Sequence, residues 1–355
     1  MPSRVPTHKY TDPLDHVWVT AARRIGFRVE RTRDAYAATP GGRVLLLGDP
    51  ASLDADDSLA QMILHELCHS LVEGEASFDV RDWGLDNETE RDVPREEACL
   101  RLQAALTARH GLRRFFAPTT DFRAFYDALA EDPLSPRNDP TITMAVLGFR
   151  RADKAPWAPH LRDALEATAA IALRAHAFTS PENGTRDDAP AEQDLYSVVD
   201  APPRRHPTGL PGSAHRAPSE TCGTCTWRTA RGRCRQADGA RVDAALPACE
   251  RFEPELDCRD CGACCRAAYD TVQVGARDPV RKKHPELVVV RGPFLEIARR
   301  GDRCSALFGG EPGDADAPPV PFTCSIYEDR PKSCRDFERS GEHCLTARRR
   351  LGLTL

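Results

Sequence analysis

Twelve of the fourteen cysteines of this chain lie between Cys222 and Cys344, opening with Cys222-Gly-Thr-Cys225 and crowding in Cys258-Arg-Asp-Cys261-Gly-Ala-Cys264-Cys265. Thiolates two residues apart on a tight turn can aim at one soft or borderline metal, and four of them complete a tetrahedral Zn²⁺ shell or hold the corners of an iron–sulfur cube. Spacing divides the twelve into a set of four, Cys222, Cys225, Cys234 and Cys249, and a set of eight, Cys258, Cys261, Cys264, Cys265, Cys304, Cys324, Cys334 and Cys344. Cys264 and Cys265 are adjacent, so their side chains diverge, and the set of eight is expected to hold two centres rather than one. Cys344 is either a last ligand or a free thiol. Spacing leaves the metal open between Zn²⁺ and iron–sulfur clusters. A structural role, in which metals replace the core that short irregular segments lack, is as well supported as a chemical one.

A second constellation, His65-Glu66-Leu67-Cys68-His69, stands far from the cysteine crowd. On a helix the two histidines project to one side and can reach a single Zn²⁺, with Glu66 beside them as base for a metal-bound water. A catalytic zinc needs a third protein ligand and one open position. Glu96 is favoured, because it falls nearer the buried edge of the next helix than Glu97 does. Glu73 and Asp86 are the competitors, although three ligands from one straight helix surround a tetrahedral ion poorly. Cys68 and Cys99 read as small buried hydrophobes. The bland alternative for His65 and His69 is the polar face of an ordinary surface helix.

The elements that must position these residues follow from periodicity and punctuation. A helix is expected from Leu14 to Ile25, turning at Gly26 into a short strand, and a second strand over Arg43 to Leu47. Asp54 can cap the helix that carries Leu59, Ile63, Leu64, Leu67 and Leu71 inward and ends near Gly74. The next helix runs from Asp92 or Pro94 to His110, and two more cover 119–131 and 159–176. Beyond 220, short elements are expected at Thr271 to Val274, Leu287 to Arg291, Phe294 to Arg300 and His343 to Leu351. Gly309 through Pro321, rich in proline, reads as an insertion between ligands. The expected organisation is α+β: a helical domain with a small sheet over 1–178, a proline-rich linker over 179–220, and an irregular, metal-stabilised cysteine module over 221–355.

At 355 residues and 41% apolar composition the chain suits a soluble protein of two or three folded units. No apolar run matches a signal peptide or a membrane span, so a cytoplasmic location is expected, where dense cysteines bind metal more often than they pair. A net charge of −5 gives no overall attraction to nucleic acid. Arg281-Lys282-Lys283 and Arg348-Arg349-Arg350 read as solvated faces. A protein or peptide is the expected substrate or partner, and oligomeric state is open.

Residues 14–135 resemble the zincin metallopeptidases, with His65, Glu66 and His69 in the motif and Glu96 or Glu97 on a second helix. The resemblance implies a zincin-like fold, zinc on the two histidines and the glutamate, and Glu66 as general base. It departs in offering no assigned oxyanion stabiliser, with His110 and His160 unplaced. Residues from Cys258 to about Leu351 resemble the bacterial CxxCxxCC cysteine-cluster family of zinc- or iron-chelating domains. The match is carried by Cys258 to Cys265, Cys304-Ser-Ala-Leu307, Cys324-Ser-Ile-Tyr327, Arg330-Pro331 and Cys334-Arg-Asp-Phe337. It implies metal binding through the cysteines and no general reaction; Cys222 to Cys249 lie outside it.

Overall fold

The computed structural model describes residues 7–8, 10–86, 89–119, 122–135, 139–179, 194–210, 212, 217–266, 269–310 and 320–355. The prolines at 181, 190 and 211, expected in the linker, and those at 312, 318 and 319, expected in the insertion, lie outside them. The architecture is mixed α+β, in two compact units, Met1–Pro203 and Arg204–Leu355. No helix among the described residues is long and apolar enough to cross a membrane.

The first unit begins with helix α1, Pro13–Ile25, capped by the Asp12 carboxylate on the Leu14 N–H and ended by left-handed Gly26. Strands β1, Arg28–Thr32, β2, Ala37–Gly41, and β3, Val44–Gly48, form a sheet in the order β1-β3-β2, with β1 parallel and β2 antiparallel to β3. β2 was not expected: its Pro40-Gly41 end reads as a turn, and only the pairing of Ala37 and Ala38 with Leu47 and Leu46 makes it a strand.

Helix α2, Leu59–Glu73, is nearly all buried, including Glu66 and His69, and lies at the centre of the unit. Its N-cap is Ser58, which exchanges side-chain and backbone hydrogen bonds with Gln61, rather than Asp54. The far end is held by Arg151, whose guanidinium donates to the carbonyls of Leu71 and Val72, both at 2.6 Å. A cation there also complements the helix dipole. Helix α3, Val93–Ala108, packs on α2, followed by the short α4, Arg123–Ala128. Helix α5, Pro140–Ala152, was missed although Asp139 caps it and Pro140 opens it. Helix α6, His160–Thr179, is tied to α1 by the Trp18 indole N–H on Thr168 Oγ1 at 2.9 Å.

The second unit is built from short pieces: the two-residue strands β4, Arg233–Cys234, and β5, Ala240–Arg241, the one-turn helix α7, Cys258–Cys261, and a hairpin of β6, Val288–Arg291, with β7, Phe294–Ile297. Its terminal helix is Glu342–Arg350. Here the reading of Arg348 to Arg350 as a solvated face fails at Arg348, while Arg350 is exposed. Arg348 is buried, donating to Glu253 Oε2 at 3.1 Å, Thr354 Oγ1 at 2.8 Å and the Leu353 carbonyl at 2.8 Å. A buried guanidinium needs such partners, and Glu253 together with Leu353 and Thr354 supplies them.

Candidate metal centres

His65 and His69 stand one turn apart on α2, and their Nε2 atoms approach to 3.1 Å. The Glu96 carboxylate, from the first turn of α3, closes the triangle: Oε1 lies 3.4 Å from His65 Nε2, and Oε2 lies 3.1 Å from His69 Nε2. Burial rules out the surface-helix alternative, since His69 is 5% exposed and Glu66 6%. Two nitrogens and a carboxylate converging on one point are the donors a borderline divalent ion such as Zn²⁺ accepts.

The surrounding contacts orient these groups. Gln103 donates its amide N–H to the Phe116 carbonyl at 2.5 Å, which turns its oxygen toward His65 Nδ1 at 3.1 Å. His65 must then carry its proton on Nδ1, leaving the Nε2 lone pair for an ion. Glu66 Oε2 accepts the Trp83 indole N–H at 2.8 Å. That indole is delivered by a turn in which Asp82 and Trp83 both adopt left-handed backbone, at φ 46° and 57°. Strain in non-glycine residues at roughly 1–3 kcal/mol each persists where the surroundings over-determine it. Here the Asp82 carboxylate accepts the Thr39 N–H of β2 at 3.2 Å.

Cys99 was read as a core residue and is fully buried, yet its sulfur forms with His65 and His69 a group of donors within 4.8 Å of one another. The unit thus carries a His/Cys cluster able to hold a metal. The sulfur lies 3.8 Å from His65 Nδ1, on the edge of the ring that Gln103 occupies, whereas Glu96 faces both Nε2 atoms. Burial and the neighbouring Cys68 push the Cys99 thiol well above its ordinary range. Of the other candidates, Glu73 pairs with Arg95 at 3.3 Å and Asp86 accepts from Thr89 at 2.7 Å. His110 follows the far end of α3, about 18 Å along the helix from Glu96 at 1.5 Å per residue. His160 opens α6 with a buried Nδ1 that has no hydrogen-bond partner.

A proton does part of a cation's work at this site. Burial opposes charge on His69, but the hydrogen bond and charge of Glu96, with Glu66 and Glu73 behind, raise its pKa above the ordinary value of 6.5. Burial likewise opposes the Glu96 carboxylate, yet His65 and His69 hold it down at about 2, below an ordinary 4.5. The raised His69 stabilises the metal-free fold below 6.5 and loses that contribution as pH rises through its folded value. The lowered Glu96 stabilises above 4.5 and loses its contribution as pH falls toward 2. Both terms are present together between pH 4.5 and 6.5. An ion binding here must displace the His69 proton, so Zn²⁺ affinity is expected to fall as pH drops from 7.5 to 6. Calorimetric titration in two buffers of different ionisation enthalpy reads the released proton directly; zero proton release would contradict this account.

In the second unit the four cysteines Cys222, Cys225, Cys234 and Cys249 line one cavity of about 10 Å³ together with His206. Burial, then the charge of neighbouring thiolates, raises Cys222 to about 11 and Cys249 to about 12. All eight remaining cysteines line a second cavity of about 1060 Å³. Burial raises Cys334 to about 11, with the charges of Cys304, Cys264 and Cys324 behind it. Sulfurs that repel one another when ionised call for a cation among them.

Gly262 ends α7 in left-handed backbone at φ 57°, and a Cβ there would come within 2.9 Å of the Phe322 ring. This turn sends the next two sulfurs to different neighbours, 3.9 Å apart. Cys264 packs with Cys261 against Ala263, Ala347 and Leu353, whereas Cys265 packs with Cys304 and Cys324 against Val274, Ile297 and Ala306. Burial raises the Cys344 thiol, with the charges of Cys261 and Cys258 adding to it. Residues 257–350 match the CxxCxxCC family, described as "Putative zinc- or iron-chelating domain". The C-terminal region is therefore similar to a metal-chelating module, over less than half of the chain. No curated protein and no solved structure matches.

Sequence reasoning missed Gln103, Trp83 and His206. Only His206 carried a signal, as a histidine sixteen residues before Cys222, and it lay in a segment read as linker.

Proposed function

We propose that this protein holds a single divalent ion on His65, His69 and Glu96 in its first unit and thiolate-bound metal in its second, and that the first ion activates water for hydrolysis of a peptide-like substrate. The observation that carries the N-terminal part is the convergence of both Nε2 atoms and the Glu96 carboxylate within 3.1–3.4 Å. His65 and Glu96 are partly exposed, which supports access of water to this site. When bound, Zn²⁺ would lower the pKa of its water and polarise that carbonyl. His65, oriented by Gln103, and His69 would hold the ion from α2 and Glu96 from α3, and Glu66, steadied by Trp83, would be the proton acceptor for the attacking water. The zincin-like assignment of residues 14–135 rests on this donor set.

A second reading has its own support. The chelating-domain match and the twelve cysteines favour metal handling or electron transfer as the main activity, with the His/Glu site holding an accessory ion that hydrolyses nothing. In the second unit, the packing of Cys264 and Cys265 into separate clusters supports two centres, Cys258, Cys261, Cys264 and Cys344 against Cys265, Cys304, Cys324 and Cys334.

Purification without oxygen, followed by zinc, iron and acid-labile sulfide analysis, tests the ligand sets. Glu96→Ala and His69→Ala are each expected to lower bound metal by one ion per chain without altering what the cysteines hold. Unchanged metal content in both variants would refute the N-terminal site.

A further inference from the structure

We infer that Cys222, Cys225, Cys234 and Cys249 close around one mononuclear zinc ion, that Gln236, Arg228 and His206 donate hydrogen bonds to its thiolates, and that this ion fastens the terminal helix bearing Cys344 to the unit. The site lies before residue 257, outside the matched chelating domain. The inference rests on the metal-binding reading only in taking these cysteines as ligands.

The size of the two cavities separates their chemistry. About 10 Å³ admits one water-sized occupant, and a cube of iron and sulfide is many atoms; the neighbouring cavity, at about 1060 Å³, is two orders of magnitude larger. The four cysteines reach this one cavity from short, tightly turned pieces of chain. Cys222 to Thr224 form one 3₁₀ turn capped by Thr221, and Gly223 passes so near the Ala244 carbonyl that a Cβ would stand 2.9 Å from its oxygen. Cys234 comes from β4 and is turned back by the pairing with β5, while Cys249 bridges to Gly212.

A second observation points independently to a negatively charged occupant. Gln236 is 4% exposed and lines the cavity, yet its amide nitrogen has no hydrogen-bond partner. The amide is not free to rotate toward one, because its oxygen accepts from Arg349 at 2.5 Å. Arg228 Nε, on the same wall, is also buried without a partner. Four thiolates around Zn²⁺ carry a net charge of two minus, and N–H donors directed at sulfur are the outer shell such a site uses. His206 fits as a donor rather than a fifth ligand. Its Nδ1 accepts the Thr208 backbone N–H at 3.2 Å, which places the ring proton on Nε2, 3.4 Å from the Cys222 sulfur.

The same residues grip the end of the chain. Arg235 Nε donates to the Ser340 carbonyl at 2.9 Å, Thr226 and Ser340 share a hydroxyl contact at 2.5 Å, and Gln236 holds Arg349. Trp227 is fully buried against Leu256 and Leu345, with Cys225 and Cys344 packed at its sides. Residues 225 to 236 keep this shape only while the ion draws their cysteines together, so Cys344 depends on a metal it does not bind.

The test uses the full chain in a His65→Ala/His69→Ala background, purified without oxygen. Cys249→Ser is expected to remove one zinc per chain and to raise the alkylation rate of Cys344 by about tenfold or more, read by mass spectrometry. Should that variant fold poorly, Gln236→Ala leaves every sulfur in place and is expected to retain zinc but surrender it to a chelator on the order of 10–100-fold more readily. Iron and sulfide report the large cavity separately, so failure of that reading leaves the zinc count untouched. Zinc content unchanged by Cys249→Ser, or Cys344 alkylation unaffected by zinc loss, would overturn the proposal.

Discussion

Glu66→Gln is expected to leave in place any ion held by His65, His69 and Glu96 and to lower any metal-dependent peptide hydrolysis by on the order of 10²–10⁴-fold, the usual contribution of a positioned general base. Glutamine keeps the size of the side chain and still offers an oxygen to the Trp83 indole N–H, so the turn that carries Trp83 has no reason to move. What disappears is the carboxylate that would accept the proton in the proposed hydrolysis. Metal content and thermal midpoint should therefore match the parent protein while turnover falls. Trp83→Phe gives the complementary result: the base survives without its steadying donor, so turnover falls by a smaller factor and its pH profile shifts. Hydrolysis that survives Glu66→Gln at full rate would remove Glu66 from the mechanism and leave the accessory-ion reading in possession of the site.

How much of this site can be seen in the chain itself depends on whether a residue acts through spacing or through tertiary placement. Helical spacing places His65 and His69 on one side of a helix, and Glu96 is favoured over Glu97 by its place on the edge of the next; the structure brings these three side chains together. The N-cap could not be separated from its rivals in Asp-Ala-Asp-Asp-Ser: Asp54 and Ser58 have similar capping chemistry, and the pairing of Ser58 with Gln61 decides between them. Gln103 and Trp83 lie 38 and 17 residues from the groups they hold, and two consecutive non-glycine residues in left-handed backbone have no sequence signature. Strand β2 was illegible for a similar reason, since pairing rather than propensity makes it a strand. Arg348 misleads because a run of three arginines at a helix end is commonly solvated, and only the fold of the last residues brings Thr354 and Glu253 to it.

Cys261→Ser and Cys265→Ser are expected to have distinct and additive effects on the large cavity. If Cys258, Cys261, Cys264 and Cys344 form one centre and Cys265, Cys304, Cys324 and Cys334 the other, each substitution removes a ligand from one set alone. With iron–sulfur clusters bound, each single variant should lose about half of the iron, sulfide and visible absorption, and the double variant nearly all of it. With zinc bound there is no colour, and each variant should lose one ion. The physical basis is the packing after Gly262: the two sulfurs stay 3.9 Å apart, but Cys264 packs in the cluster of Ala263, Ala347 and Leu353 and Cys265 in that of Val274, Ile297 and Ala306. Serine at 265 also removes the sulfur from which Cys264 draws a hydrogen bond, a contact that lowers Cys264 to about 7. That change leaves four thiols in the first set, so the first centre should persist in Cys265→Ser. Complete loss of metal in either single variant would mean that Cys264 and Cys265 serve one shared centre.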